Sequence, residues 1–227
     1  MKRLKKISKA GTGYVADYIG DNGEERRDYV MEIVGAIIPP ESLSPGYYLF
    51  LGLMFDQLPA GPHKILFLSE GLGQVRTQLI FAMNDDAVRL NASTVYADQA
   101  NKGFFAHLWS INSSTWWLKP AASTKNIDYG SALINEIVVS KAIDWPKDST
   151  VYAQVSDPLQ GINEGENLKD PKLYAFHALR FILAGIERDI QVTNKTRQEH
   201  YDLEARRFHK PMHNRPERQS RASGAVL

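Results

Sequence analysis

Asp98, Asp56, Glu32, Glu70 and His177 have side chains and placements that could do chemistry together. Four of them are carboxylates in or just after apolar runs. Asp98 follows "STVYA", Asp56 follows "YYLFLGLMF", Glu70 ends "KILFLSE", and Glu32 lies inside "YVMEIVGAI". Open α/β sheets place functional groups at the carboxyl ends of their strands. Oxygen ligands converging from neighbouring strands can hold Mg2+ or Mn2+. Two such ions ~3.5–4 Å apart activate water and stabilise a leaving oxygen in phosphoryl chemistry. Each acid also has a structural alternative. Asp98 could cap a helix begun at "NKGFF", Asp56 could start a turn, and Glu70 could sit in the first turn of the next helix. Glu32 inside a buried strand would need a partner or a metal, unless its strand has one wet face.

His177 interrupts "DPKLYAFHALRFILAGIERD", which reads as a helix with Asp170 as N-cap and Pro171 at its first position. Wound at 100° per residue, the segment puts Arg180, Ala184, Glu187 and Arg188 beside His177 in a narrow polar stripe. Leu179, Ile182, Leu183, Ile186 and Phe176 cover the remainder. His177 therefore faces either solvent or a cleft at the edge of a sheet.

The elements that must position these residues follow from pattern. "GTGYVADYIG" and "RDYVMEIVGAII" read as strands around an Asn22-Gly23 hairpin turn. "YYLFLGLMF" is apolar throughout, as in a central strand covered on both faces, and "KILFLSEG" is a second such strand. "QVRTQLIFAMNDDAVRLN" has helical spacing through Val75, Leu79, Ala82 and Met83. "STVYAD" is a short strand, and "NKGFFAHLWSIN" is an amphipathic helix. The stretch "SSTWWLKPAASTKNIDYGS" reads as loop, "ALINEIVVSKAI" as helix or strand, "STVYAQVSD" as strand, and "PLQGINEGENLK" as polar loop. Strands first, then alternation, then a long closing helix predict an α/β, three-layer, ribonuclease H-like fold, with a mixed central sheet flanked by helices. G-x-G-x-x-G and GxxxxGK[ST] are both absent, which argues against a dinucleotide-binding sheet and against a phosphate-cradling ATPase loop.

Composition narrows the class. The chain has 227 residues, 43% of them hydrophobic, and a formal net charge of +1, enough for a real core and no global pull on a polyanion. The absence of cysteine excludes disulfides, thiolate zinc sites and a cysteine nucleophile. No apolar run reaches the ~20 residues of a membrane span, and the charged start lacks a signal-peptide core. A soluble, cytoplasmic protein is expected, with no membrane partner. Both ends are basic. "MKRLKKISK" opens the chain, and Arg206, Arg207, Lys210, Arg215, Arg218 and Arg221 crowd its end, as flexible arms for nucleic acid or as solvated termini. This divides the chain into 1–27, a basic extension and hairpin start; 28–190, the core; and 191–227, a basic extension. Trp116-Trp117 followed by Lys119 would suit base stacking beside a phosphate, or would be one core and one surface tryptophan.

From "YYLFLGLMFD" through "VYADQANKGFFAHLW" to "LYAFHALRFILAG", about residues 28 to 190, the sequence resembles the nuclease domain of the large terminase subunit of tailed bacteriophages. That domain is ribonuclease H-like. Its last helix bears a metal-ligating acid before an Ala-Leu-Arg-aromatic run. Ala178, Leu179, Arg180 and Phe181 match the run, and Asp98 matches a strand-end acid, but His177 stands where the family has aspartate. The resemblance implies a metal-dependent endodeoxyribonuclease using Mg2+ or Mn2+ on double-stranded DNA, with phage packaging or virion proteins as possible partners. In it Asp98, Asp56 and His177 would be catalytic, and Asp98, Asp56, Glu32, Glu70 and His177 would be the metal ligands. The basic tail would follow the DNA backbone. The family's ATPase half has no counterpart, so this chain alone is not expected to drive translocation. Imidazole in place of carboxylate brings no negative charge to Mg2+. Either the site is retuned, favouring Mn2+, or this is an impaired copy that binds DNA or a virion partner without cutting.

Overall fold

The computed structural model describes residues 3–20, 22–41, 44–54, 64–111, 115–121, 132–137, 143–161 and 173–189. All fall within one compact unit, Met1–Ile190. Its centre is β5 (Gly46–Met54), in which every residue is buried, as expected of a strand with no polar side chain beyond two tyrosine hydroxyls. β5 pairs antiparallel with β4 (Glu32–Ile38) on one side and β6 (Lys64–Gly73) on the other. β7 (Thr94–Ala97) adds to β4 in parallel, and β8 (Trp117–Pro120) adds to β7 in parallel. A two-residue β9 (Ile143–Asp144) runs parallel to β6. The sheet order is β8-β7-β4-β5-β6-β9. Three antiparallel strands followed by two parallel ones on the far side of the first form the ribonuclease H-like arrangement, so the expected α/β fold is present.

Helices cover both faces. On one lie α1 (Arg76–Leu90) and α2 (Lys102–Ile111), which bury Leu79, Ile80, Met83, Phe104 and Leu108 against Ile33, Ile37, Phe50 and Val95. On the other lie α3 (132–137), α4 (Thr150–Gly161) and α5 (174–189), closing over Val34, Ala36, Leu49, Leu51, Leu53 and Tyr96. The alternation of strand residues between these two clusters has the period of 2 that a sheet buried on both faces requires. The spacing used to predict α1 included Val75 and Ala82, which are exposed; the core face is instead Leu79, Ile80, Met83, Ala87 and Leu90.

Three expectations are corrected. "STVYAQVSD" is not a strand but most of α4, which continues through "PLQG" to Gly161. Its β-branched residues misled: Val151 and Val155 are four apart, so they share one helix face, and both are buried. "WLKP" is a strand, β8, rather than loop. The basic start is not a flexible arm. It forms β1 (Arg3–Ala10), paired antiparallel with β2 (Gly13–Ile19), which pairs with β3 (Glu25–Val30) across the Asn22-Gly23 turn. This small sheet packs Ala16, Tyr18 and Val30 into the α1–α2 side of the core. Met31 alone separates β3 from β4, so one run of chain passes from the small sheet into the large one.

A polar link secures that junction. Asp28 on β3 accepts hydrogen bonds from the Tyr18 hydroxyl and, at 3.0 Å, from Lys64 on β6. Burial acts to raise the Asp28 pKa, but the bonds from Tyr18 and Lys64 outweigh it and hold the carboxyl below its ordinary value. Burial and the same bond push the Tyr18 hydroxyl up to about 12. A carboxyl depressed in the folded state contributes stability above its unfolded pKa of about 3.9 and loses it as pH falls through the folded value. The urea midpoint of Asp28→Asn should therefore lie below that of the parent at pH 6, with the gap closing below about pH 4.

Candidate functional site

The parallel register fixes where Asp98 emerges. Ile37 pairs with Ala97, and Ala97 with Pro120, so Asp98 leaves the carboxyl edge of the sheet between Ile38 and Ala121. It lies on the same side of β7 as Tyr96, under α5. Asp98 Oδ1 accepts the Ala100 N–H at 2.8 Å, closing a tight turn. The helix cap that Asp98 could have supplied comes instead from Asn101, whose Oδ1 accepts the Phe104 N–H at 3.2 Å. Asp98 is thus left free of the capping role.

α5 crosses this side of the sheet from β5 to β8. Tyr174 packs against Tyr47 with ring centroids 5.5 Å apart, and Arg188 donates to the Pro120 carbonyl at 2.8 Å. Between these points Gly185 lies on the Tyr96 ring; a Cβ there would come within 2.3 Å of it. The Tyr96 hydroxyl donates to Asp189 at 2.9 Å, and Lys119 donates to the same carboxylate at 2.6 Å. Gln154 of α4 accepts the Ala175 and Phe176 N–H groups at 2.8 and 3.4 Å, serving two of the orphan donors at the start of α5. The proposed cap, Asp170, and Pro171 lie outside the described residues.

The polar stripe of α5 turns inward at Arg180. That residue is only 3% exposed, and its Nε has no hydrogen-bond partner among the described residues. The guanidinium lies 5.0 Å from the Phe181 ring centroid. Burial lowers its pKa, and the negative charge of Asp98 acts in the opposite direction. His177, one turn earlier on the same side, is half-buried and edge-on to Phe176 at 5.7 Å.

The remaining carboxylates go elsewhere. Glu32 is the first residue of β4, two residues before the level at which β7 begins, and accepts from the Ser93 hydroxyl at 2.8 Å. Six strand residues separate its level from that of Asp98, on the order of 20 Å. Glu70 lies two strands beyond β4, where its oxygens accept the Thr150 N–H at 2.7 Å, the Val151 N–H at 3.3 Å and the Tyr47 hydroxyl at 2.5 Å. It caps α4 from a neighbouring strand, a role with no signal in local sequence. Asp56 lies outside the described residues; β5, which leads to it, runs toward the Glu32 edge of the sheet. Among the described residues no three His, Asp or Glu side chains form a group able to hold a metal ion. The tail cations Arg206, Arg207, Lys210, Arg215, Arg218 and Arg221 also lie outside them. Trp116 is core, with its indole N–H donating to Asn84 at 3.2 Å, while Trp117 is 74% exposed.

Comparison with solved structures finds matches that include two phage proteins. The likeness is to large terminase nuclease domains. That of bacteriophage SPP1, solved with bound Mn, has 12% identity and a TM-score of 0.48, over 70% of this chain and 86% of the other. That of thermophilic phage G20c has 13% identity and a TM-score of 0.45, over 80% and 91%. No family model matches the chain, and no curated protein does. The ribonuclease H-like assignment rests on the strand order itself. Among the described residues no helix is long and apolar enough to cross a membrane.

Two substitutions test how the edge is held. Glu70→Ala removes two of the bonds to the start of α4, where Ser149 Oγ still accepts the Tyr152 N–H, leaves the buried Tyr47 hydroxyl without its acceptor, and should cost about 2–3 kcal/mol by urea titration. Gly185→Ala would ordinarily favour a helix by up to about 1 kcal/mol, but here it should destabilise by about 1–3 kcal/mol, because the methyl collides with Tyr96.

Proposed function

We propose that this chain is a DNA-handling domain of the terminase-nuclease type, acting on double-stranded DNA during phage DNA packaging in the host cytoplasm. What supports the proposal is the position of Asp98 at the carboxyl edge of a ribonuclease H-like sheet, where open α/β sheets receive their ligands, on the face covered by α5, the helix that carries Arg180 and His177. The run of cations from Arg206 to Arg221 gives the chain a means of following phosphates without reading sequence.

A complete domain of this type would hydrolyse a phosphodiester with Mg2+ or Mn2+ held by several carboxylates. Asp98 is the described residue best placed to offer oxygen to such an ion, and His177 would offer nitrogen, which Mn2+ accepts more readily than Mg2+. One carboxylate and one imidazole do not fit a two-ion centre. The sequence resemblance named Asp56 as a further ligand, and the described residues supply no carboxylate in its stead at this edge.

Filter retention of a double-stranded DNA fragment tests the proposal. If Arg206, Arg207, Lys210, Arg215, Arg218 and Arg221 each neutralise a phosphate, affinity should fall about 10^3-fold between about 50 and 200 mM salt. Deleting residues 206–227 should flatten that dependence. Absence of retention even at the lower salt would overturn the DNA reading and favour a virion protein as partner.

A further inference from the structure

We propose that the outer face of the small β1–β2–β3 sheet is a contact surface for the phosphate backbone of double-stranded DNA, additional to the basic end of the chain. The proposal rests on the DNA-handling reading and names a second place where the duplex is held. One face of this sheet lies in the core, where Ala16, Tyr18 and Val30 are buried. Alternation turns the intervening residues outward. Lys6 on β1 pairs with Asp17 on β2, and Asp17 with Arg27 on β3, so the three form one row across the outer face. Arg27 Nε donates to Asp17 Oδ1 at 2.6 Å, yet the Arg27 side chain remains 73% exposed. In the next row Tyr29 pairs with Val15. Its hydroxyl end lies over Gly13, where a Cβ would come within 2.7 Å of the oxygen, and Tyr29 is 46% exposed.

A β-bulge gathers the cations. The β1–β2 register slips between Leu4 and Lys6, which leaves Lys5 as the extra residue. In a regular strand Lys5 and Lys6 would point to opposite faces. Here Leu4 packs against the core, Lys6 stands opposite Asp17, and Lys5 forms an ion pair with Glu25, two residues before Arg27 on the outer side of β3. Lys5, Lys6, Arg26 and Arg27 line one open hollow of about 510 Å³ together with Asp17 and Glu25. Among the described lining residues, four cations therefore face two carboxylates, and each carboxylate is bonded to a cation of the same face. These ion pairs hold Lys5 and Arg27 in place before any ligand arrives. A guanidinium bonded through Nε keeps its Nη groups for the forked contact that suits a phosphate. Lys6 and Arg27 are two strands apart, on the order of 10 Å, and Tyr29 lies about 7 Å along β3 from Arg27 with a hydroxyl of the kind that bonds phosphate oxygens. Contacts of this type position a duplex without reading its sequence. β3 continues through Met31 into the Glu32 end of β4, the opposite end from Asp98, so this surface is separate from the carboxyl edge.

The test is filter retention of a double-stranded DNA fragment by the full chain over a salt series. Lys6→Gln with Arg27→Gln removes two phosphate contacts. The slope of log affinity against log salt should flatten by about 1.8, which makes the loss between about 50 and 200 mM salt about tenfold smaller than the parent's. Lys9 is the comparison: it is exposed on the same strand but pairs with Tyr14, which packs on the core side. Lys9→Gln should leave the slope unchanged. A second measurement needs no variant: acetylation of the parent chain should show Lys6 protected several-fold by DNA and Lys9 not protected. A parent-like slope in the Lys6 and Arg27 variant overturns the proposal, as does the same flattening per charge from Lys9→Gln, or acetylation of Lys6 that DNA does not slow. In each of those cases retention by the parent leaves the DNA-handling reading standing. A parent that retains no DNA at about 50 mM salt refutes that reading, and this proposal with it.

Discussion

The close approach of α5 to β7 governs this molecule. Gly185 lets the helix backbone rest on the Tyr96 ring, and that contact sets the height and angle at which the rest of α5 crosses the sheet. Arg180 then comes down into the core, and Arg188 and Asp189 reach Pro120, Lys119 and the Tyr96 hydroxyl. A larger residue at position 185 would lift the whole face. The polar groups beneath would lose partners together, because each bond depends on the same few ångströms of separation. In a densely packed interior such a shift is not absorbed locally.

Much of the fold could be read from the sequence because its central strands leave little choice. "YYLFLGLMF" is too apolar to be anything but buried on both faces, and "KILFLSEG" reads as a second such strand, which the structure pairs with it. α1 and α2 showed their periodicity, and the Asn22-Gly23 turn marked the β2–β3 hairpin. The errors came where local preference and tertiary context disagree. Valine and tyrosine made α4 look like a strand, yet its start is held by Glu70 from β6, 80 residues away in the chain. "WLKP" gave no strand pattern because a four-residue edge strand has too few residues to show alternation.

The site was half legible. The position of Asp98 at a strand end followed from "STVYAD", and the polar stripe of α5, though not the direction it faces, followed from its helical wheel. Convergence was not legible, since it depends on register. Glu32 and Asp98 sit in equally plausible strands, but the parallel pairing of β4 with β7 puts them at opposite edges. Glu70 resembles a ligand by composition and is a helix cap by geometry. The burial of Arg180 was equally hidden: on the wheel it belonged to a polar stripe, and only the packing of α5 shows that the stripe faces protein.

The single residue between β3 and β4 has a consequence for how the chain is made. During synthesis β1, β2 and β3 are complete before the strands they pack on exist. Ala16, Tyr18 and Val30 face a core that is not closed until β5 and β6 have followed. For that interval the small sheet is a naked three-stranded ribbon, the kind of surface that pairs with other unfinished chains. Its outer strand carries Lys5, Lys6 and Lys9, all exposed, which repel a second copy approaching edge to edge. The charge of the outer strand would thus disfavour such pairing while the chain is unfinished.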